Sequence, residues 1–202
     1  MKIGVLGGTF DPIHIGHLII AEEARLRLGL GEVIFVPAGQ PYFKGGKAIA
    51  PAQCRLEMTR LAISSNPYFQ VSSIEVDRPG PSYTVDTIAA LRNKLGAGAE
   101  IFFIMGADAL MELPLWKEPA RILAMCRLVA VRRPGRIIDL SSLDSSLPGA
   151  SARIVFLDAP EIGISSTEIR SRVSRGLSIR YLVPEEVEEY IRRNGLYLSP
   201  QG

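Results

Sequence analysis

His14 and His17, the only two histidines of the chain, stand close together in Gly7-Gly8-Thr9-Phe10-Asp11-Pro12-Ile13-His14-Ile15-Gly16-His17. This stretch follows an apolar run, Ile3 to Leu6, and leads into a helical pattern, so it reads as a strand, a glycine turn and a helix start. Backbone N–H groups at such a turn lack internal partners and carry partial positive charge, which suits phosphate oxygens. The His-x-Gly-His spacing sets the two rings about one helical turn apart on one side. Gly16, without a Cβ, is expected to let a ligand approach the backbone. Both imidazoles are therefore expected to touch one polyphosphate. A metal site using His14, His17 and Asp11 is the competing reading, but a structural zinc needs four ligands, and the chain holds no CxxC and no further histidine.

Three other clusters carry chemistry-bearing residues. Ile164-Ser165-Ser166-Thr167-Glu168-Ile169-Arg170 places hydroxyls and free N–H groups at a helix start with Arg170 one turn along, a nest for the outer phosphates of a nucleotide. The same string is also an S-x-x-E capping box, Ser165 with Glu168, that needs no ligand. Gly80-Pro81-Ser82-Tyr83-Thr84-Val85-Asp86-Thr87 reads as a turn feeding an N-capped helix. Trp116, the only tryptophan, lies in a loop-like stretch where it either packs or stacks on a flat base. Lys44, Arg132 and Arg133 are cations in strand-to-helix loops, where a solvated charge is the ordinary role.

These residues need a scaffold. Apolar, β-branched or aromatic runs at 3–6, 33–36, 101–105 and 128–131 alternate with helical patterns, as buried parallel strands do in a doubly wound α/β sheet. Leu18, Ala21, Ala24 and Leu28 share one helical face, as do Val85, Ile88, Leu91 and Leu95. Short strands are expected at 69–72, 74–76 and 153–157, with 134–152 a loop holding some helix. Ser165 is the expected N-cap of a helix bearing Ile169 and Val173, and Pro184 opens a last helix that stops at Gly195. In open α/β sheets ligands collect beyond the carboxyl ends of the strands. The turn after the first strand, the Pro37–Lys47 loop, Gly106-Ala107-Asp108 and Arg132-Arg133 all fall there.

With 202 residues, 47% hydrophobic content and a net charge of +2, the chain suits one core and a single domain spanning 1–202. It shows no basic block, leader or apolar run of about twenty residues, so a cytoplasmic protein is expected, with neither nucleic acid nor membrane as a partner. A homo-oligomer stays open. Cys54 and Cys126 read as reduced core thiols.

GGTFDPIHIGHL resembles the signature of the nucleotidyltransferase superfamily whose HxGH motif binds ATP phosphates, and ISSTEIR resembles its second phosphate-binding motif. The further strings PAGQPYFK, DRPGPSYTVDT, FIMGADAL and VPEEVEEYI extend the likeness from end to end, toward bacterial nicotinate-nucleotide adenylyltransferases. The resemblance implies a Rossmann-like nucleotidyltransferase fold and adenylyl transfer from ATP to nicotinate mononucleotide, with Mg²⁺ accompanying ATP and no metal held by the protein. It implies ATP contacts at Gly7, Gly8, Thr9, Phe10, His14, His17, Gly106, Asp108, Ile164, Ser165, Ser166, Thr167 and Arg170. It implies nucleotide-substrate contacts at Lys44, Ser82, Tyr83, Thr84, Trp116 and Arg132, and catalytic roles for His14, His17, Lys44 and Arg170. Phe43 stands where the family commonly has histidine. The alternatives are another HxGH adenylyltransferase, acting on phosphopantetheine or nicotinamide mononucleotide, or a non-catalytic adenylate sensor.

Overall fold

The computed structural model describes residues 1–41, 49–132, 139–160 and 162–198. Lys44, Phe43 and Arg133 therefore lie outside the described residues. Six parallel strands, β1 (Lys2–Gly8), β2 (Glu32–Pro37), β3 (Phe69–Val71), β4 (Glu100–Gly106), β5 (Arg127–Arg132) and β6 (Ile154–Asp158), form one sheet in the order β3-β2-β1-β4-β5-β6. This is the doubly wound order, and it reverses between β1 and β4, where a crevice opens beyond the strand ends.

Alternation along each strand divides the core between the two faces. Leu6, Phe35, Phe102 and Ile104 face one side, where α1 (Ile15–Leu28), α2 (Ala52–Ile63), α7 (Ser166–Ser174) and α8 (Glu185–Arg193) pack through Ala21, Met58, Ile169 and Val187. Ile3, Val5, Ile101 and Phe103 face the other, covered by α3 (Thr84–Leu95) and α5 (Pro119–Met125) through Ile88, Leu91 and Ile122. Because central strands are buried on both faces, their sequence runs are continuously apolar, which is why periodicity found them.

Several expectations are corrected. Residues 74–76 form a turn instead of a strand, with Asp77 N–H donating to the Ser73 carbonyl at 2.8 Å. Pro184 sits at the N-cap position of α8 instead of inside it, whereas the short α6 (Ser141–Ser146) is the helix expected within 134–152. Cys126 is buried, and burial pushes its thiol up to about 12, whereas Cys54 is only half-buried. No helix among the described residues is long and apolar enough to cross a membrane.

Candidate active site

His14 occupies the N-cap of α1 in extended conformation, and its backbone N–H donates to His17 Nδ1 at 3.2 Å. That bond fixes the His17 tautomer: with Nδ1 accepting, the proton of the neutral ring sits on Nε2. The rings stack with centroids 3.8 Å apart, bringing the pair together as the spacing predicts. Burial pushes His14 down to about 4, and burial with the neighbouring His14 imidazole pushes His17 down to about 3. Both are neutral at physiological pH and act as hydrogen-bonding groups, not as fixed charges. His14 Nδ1 is buried without a hydrogen-bond partner.

Gly16 and Phe10 both pack against the histidine pair. A Cβ on Gly16 would sit 3.1 Å from the His14 ring, so the missing side chain makes room for that imidazole. Phe10 is buried in the core with its ring edge-on to His17 at 5.0 Å. It buttresses the imidazole, which leaves only its backbone to meet a nucleotide.

The second phosphate motif arrives at the same loop from the far end of the chain. Ser165 caps α7 by accepting from Glu168 N–H at 3.1 Å, while Ser166 Oγ donates to the Pro12 carbonyl at 2.9 Å. Arg170 Nη1 donates to the Asp11 carbonyl at 2.7 Å and lies 3.6 Å from Asp11 Oδ2, and its Nη2 donates to Thr167 Oγ1 at 3.3 Å. Asp11 itself is 1% exposed, and its Oδ1 accepts from Ala50 N–H and from the Tyr197 hydroxyl at 3.1 and 2.8 Å. Arg170 thus brings a fixed positive charge to this cluster, oriented by a carboxylate and a carbonyl.

Beside the histidine loop, at the crevice between β1 and β4, lies a cavity of about 680 Å³. Gly7, Gly8 and Thr9 form one wall, and Tyr83, Thr84 and Trp116 face it. The first amides of α3 have no intrahelical acceptor, so this wall favours an anion. Tyr83 takes the N-cap position but gives no side-chain cap. Ser82 also lines the cavity, its Oγ accepting from Gly39 N–H at 3.0 Å and from Gln40 N–H at 3.3 Å. Trp116 meets Phe103 edge to face at 6.2 Å, and its Nε1 is buried without a partner.

Gly106 borders the cavity at the end of β4, while Asp108 is exposed on a short helix, α4 (Ala107–Leu110), in the N-terminal acid position. Ile164 is half-buried ahead of α7. Arg132 is not on the cavity wall: it makes a bidentate pair with Asp158, 2.9 Å for each bond, and lies over the Phe156 ring. That carboxylate on the neighbouring strand uses the fork that a substrate phosphate would need. Among the described residues no group of three His, Cys, Asp or Glu side chains is placed to hold a metal.

Four contributors escaped the sequence reading. Arg55 is 0% exposed and donates to the carbonyls of Ala50, Thr9 and Gly39 at 3.0, 2.8 and 3.0 Å. Tyr197 reaches Asp11 from the C-terminal end, and burial with the Asp11 charge pushes its phenol well up. Glu75 lines the cavity and accepts from the Thr87 hydroxyl at 2.6 Å, with burial raising its carboxyl above the ordinary value. Gly39 packs so closely that a Cβ would lie 2.1 Å from the Glu75 carbonyl oxygen. For Arg55 a signal existed: Arg55, Met58, Thr59 and Ala62 share one helical face and all are buried, so the arginine sits in the core-facing stripe.

Residues 5–172 match the cytidylyltransferase-like family, and the chain belongs to it. It is thus a nucleotidyltransferase by fold and by motif. It is 50% identical to the probable nicotinate-nucleotide adenylyltransferase of Dehalococcoides mccartyi over 98% of this chain and 97% of that protein. It is 51% identical to the probable nicotinate-nucleotide adenylyltransferase of a Roseiflexus species, over 96% and 97%. Within the larger family the chain belongs to the nicotinate-nucleotide adenylyltransferases. The fold matches that of Plasmodium falciparum nicotinic acid mononucleotide adenylyltransferase complexed with NaAD, with a TM-score of 0.78 at 19% identity, covering 97% of each chain.

Proposed function

We propose that the protein transfers the adenylyl group of ATP to nicotinate mononucleotide, giving deamido-NAD and pyrophosphate. The observation that carries this reading is the shared Gly7–Thr9 turn, which borders the anion-favouring cavity and continues into the loop where His14, His17 and Arg170 meet. An oxygen of the mononucleotide phosphate attacks the α-phosphorus of ATP. The bond from that phosphorus to the bridging oxygen breaks, and pyrophosphate leaves with the electron pair. The nucleophile is already ionised near neutral pH, so no protein base is required and placement with charge stabilisation carries the catalysis.

In this reading His17 donates from Nε2 to the triphosphate, His14 lies against it, and Arg170 supplies the positive charge that balances pyrophosphate as it forms. Thr9, Ser166 and Thr167 contribute amides at the turn and at the start of α7. The cavity takes the nucleotide: the first turn of α3, Thr84 included, faces the pyridine carboxylate, and Trp116 stacks on the ring. Lys44 is proposed as a further phosphate contact. Mg²⁺ accompanying ATP would be held chiefly by phosphate oxygens and would supply neutralisation of the leaving group's charge.

The test is pyrophosphate release from ATP and Mg²⁺ with, separately, nicotinate mononucleotide, nicotinamide mononucleotide or phosphopantetheine. Turnover should be greatest with the carboxylated nucleotide. Preference for either of the other two, or turnover with none, contradicts the assignment.

A further inference from the structure

The three carbonyls that Arg55 binds belong to three different segments around the cleft: Thr9 follows β1, Gly39 follows β2, and Ala50 precedes α2. A guanidinium is costly to bury, and a packed apolar side chain would commonly serve stability as well or better. Here α2 has its own anchorage, since Arg55 N–H already donates to the Pro51 carbonyl at 3.1 Å and Leu56, Met58 and Ala62 are buried against the core. What the guanidinium adds is a link between loops.

The direction of each linked peptide follows from planarity, because in a trans peptide the N–H points opposite to the C=O. With the Thr9 carbonyl held by Arg55 Nη1, the Phe10 N–H is turned away from Arg55. With the Gly39 carbonyl held by Nη2, the Gln40 N–H is turned the other way and meets Ser82 Oγ. Ser82 N–H in turn donates to the Gln40 carbonyl at 2.9 Å, directly before α3 begins. One continuous chain of hydrogen bonds therefore runs from the phosphate turn, through Arg55 and the β2 loop, to the helix start on the opposite cavity wall. Gly39 leaves no room for a side chain within it, since a Cβ there would meet the Glu75 backbone.

Resting on the adenylyl-transfer reading, we infer that Arg55 is a positioning residue that holds the triphosphate turn and the pyridine-pocket wall at one fixed separation, so that nucleophile and α-phosphorus meet in line. Arg55 is fully buried and does not line the cavity. Its contribution is to alignment, which is realised in the transition state and not in the binding of either nucleotide alone.

Arg55→Lys keeps the charge but cannot serve the three carbonyls with a rigid fork. It is expected to lower kcat about a hundredfold, the scale of a misplacement near 1 Å, while both KM values move less than threefold. Ser82→Ala cuts the chain at its far end and is expected to lower kcat about tenfold with the same pattern. Wild-type kcat in folded Arg55→Lys, or a loss confined to KM or to the melting temperature, overturns the inference. Should Arg55→Lys fail to fold, Ser82→Ala decides, and wild-type kcat there overturns it. A wild-type protein without turnover would instead refute the adenylyl-transfer reading itself.

Discussion

His17 does two separable things, and substitution can divide them. Its Nδ1 accepts the His14 N–H at 3.2 Å, satisfying one of the otherwise unpaired amides at the start of α1, and its ring meets Phe10 edge-on. Its Nε2–H is the group assigned to phosphate. Losing the helix-start bond costs about 1 kcal/mol, and losing the aromatic edge contact costs about 1 kcal/mol more. His17→Ala should thus destabilise the protein by about 2 kcal/mol, read as a lower urea midpoint at unchanged m-value. His17→Asn offers an acceptor near the Nδ1 position and no donor near Nε2, so it should recover about half of that stability. Removal of one preorganised donor to a developing charge costs about 3 kcal/mol in the barrier, a factor of about a hundred in rate. Both variants should therefore lose kcat/KM about a hundredfold in a continuous pyrophosphate assay despite their unequal stabilities. Near-native turnover in well-folded His17→Asn would mean that Nε2–H is not the phosphate donor.

Further outcomes are expected. Because His14 is held near 4, below its ordinary 6.5, protons bind the unfolded chain first, and stability should fall as pH drops from about 6.5 toward 4. That loss is about 2–3 kcal/mol by pH 4.5 from this residue, and urea melts of His14→Asn should show a shallower pH slope; equal slopes contradict it. Trp116 is the sole tryptophan, so titration with nicotinate mononucleotide should change its fluorescence saturably, and Trp116→Ala should raise KM for that nucleotide at least tenfold with little change in KM for ATP. Gly39→Ala, whose Cβ would lie 2.1 Å from a backbone oxygen, should cost about 3 kcal/mol and lower the melting temperature by roughly 10 °C.

Much of this was legible in the chain because the relevant signals are local. The four central strands announce themselves as unbroken apolar runs, and the His14–His17 pair meets because residues at that spacing lie on one side of a helix start. The edge strand β3, Phe-Gln-Val, and the 74–76 turn, Ile-Glu-Val, share one apolar-polar-apolar pattern, and side-chain type alone does not separate them. What sequence spacing hid is long-range. Arg55 binds carbonyls on two other loops, Tyr197 reaches Asp11 from near the opposite end of the chain, and Arg132 is claimed by Asp158 across β5 and β6. None of these partners has a fixed offset that periodicity can detect, since tertiary packing alone brings them together.

The most direct measurement is a crystal structure with nicotinate mononucleotide and an unreactive ATP analogue bound together. The pyridine carboxylate is expected at hydrogen-bonding distance from the first amides of α3, the ring against Trp116, and the triphosphate on His17 Nε2 and Arg170. A triphosphate bound away from the imidazole pair, or a pyridine ring outside the Tyr83–Trp116 cavity, would contradict this placement.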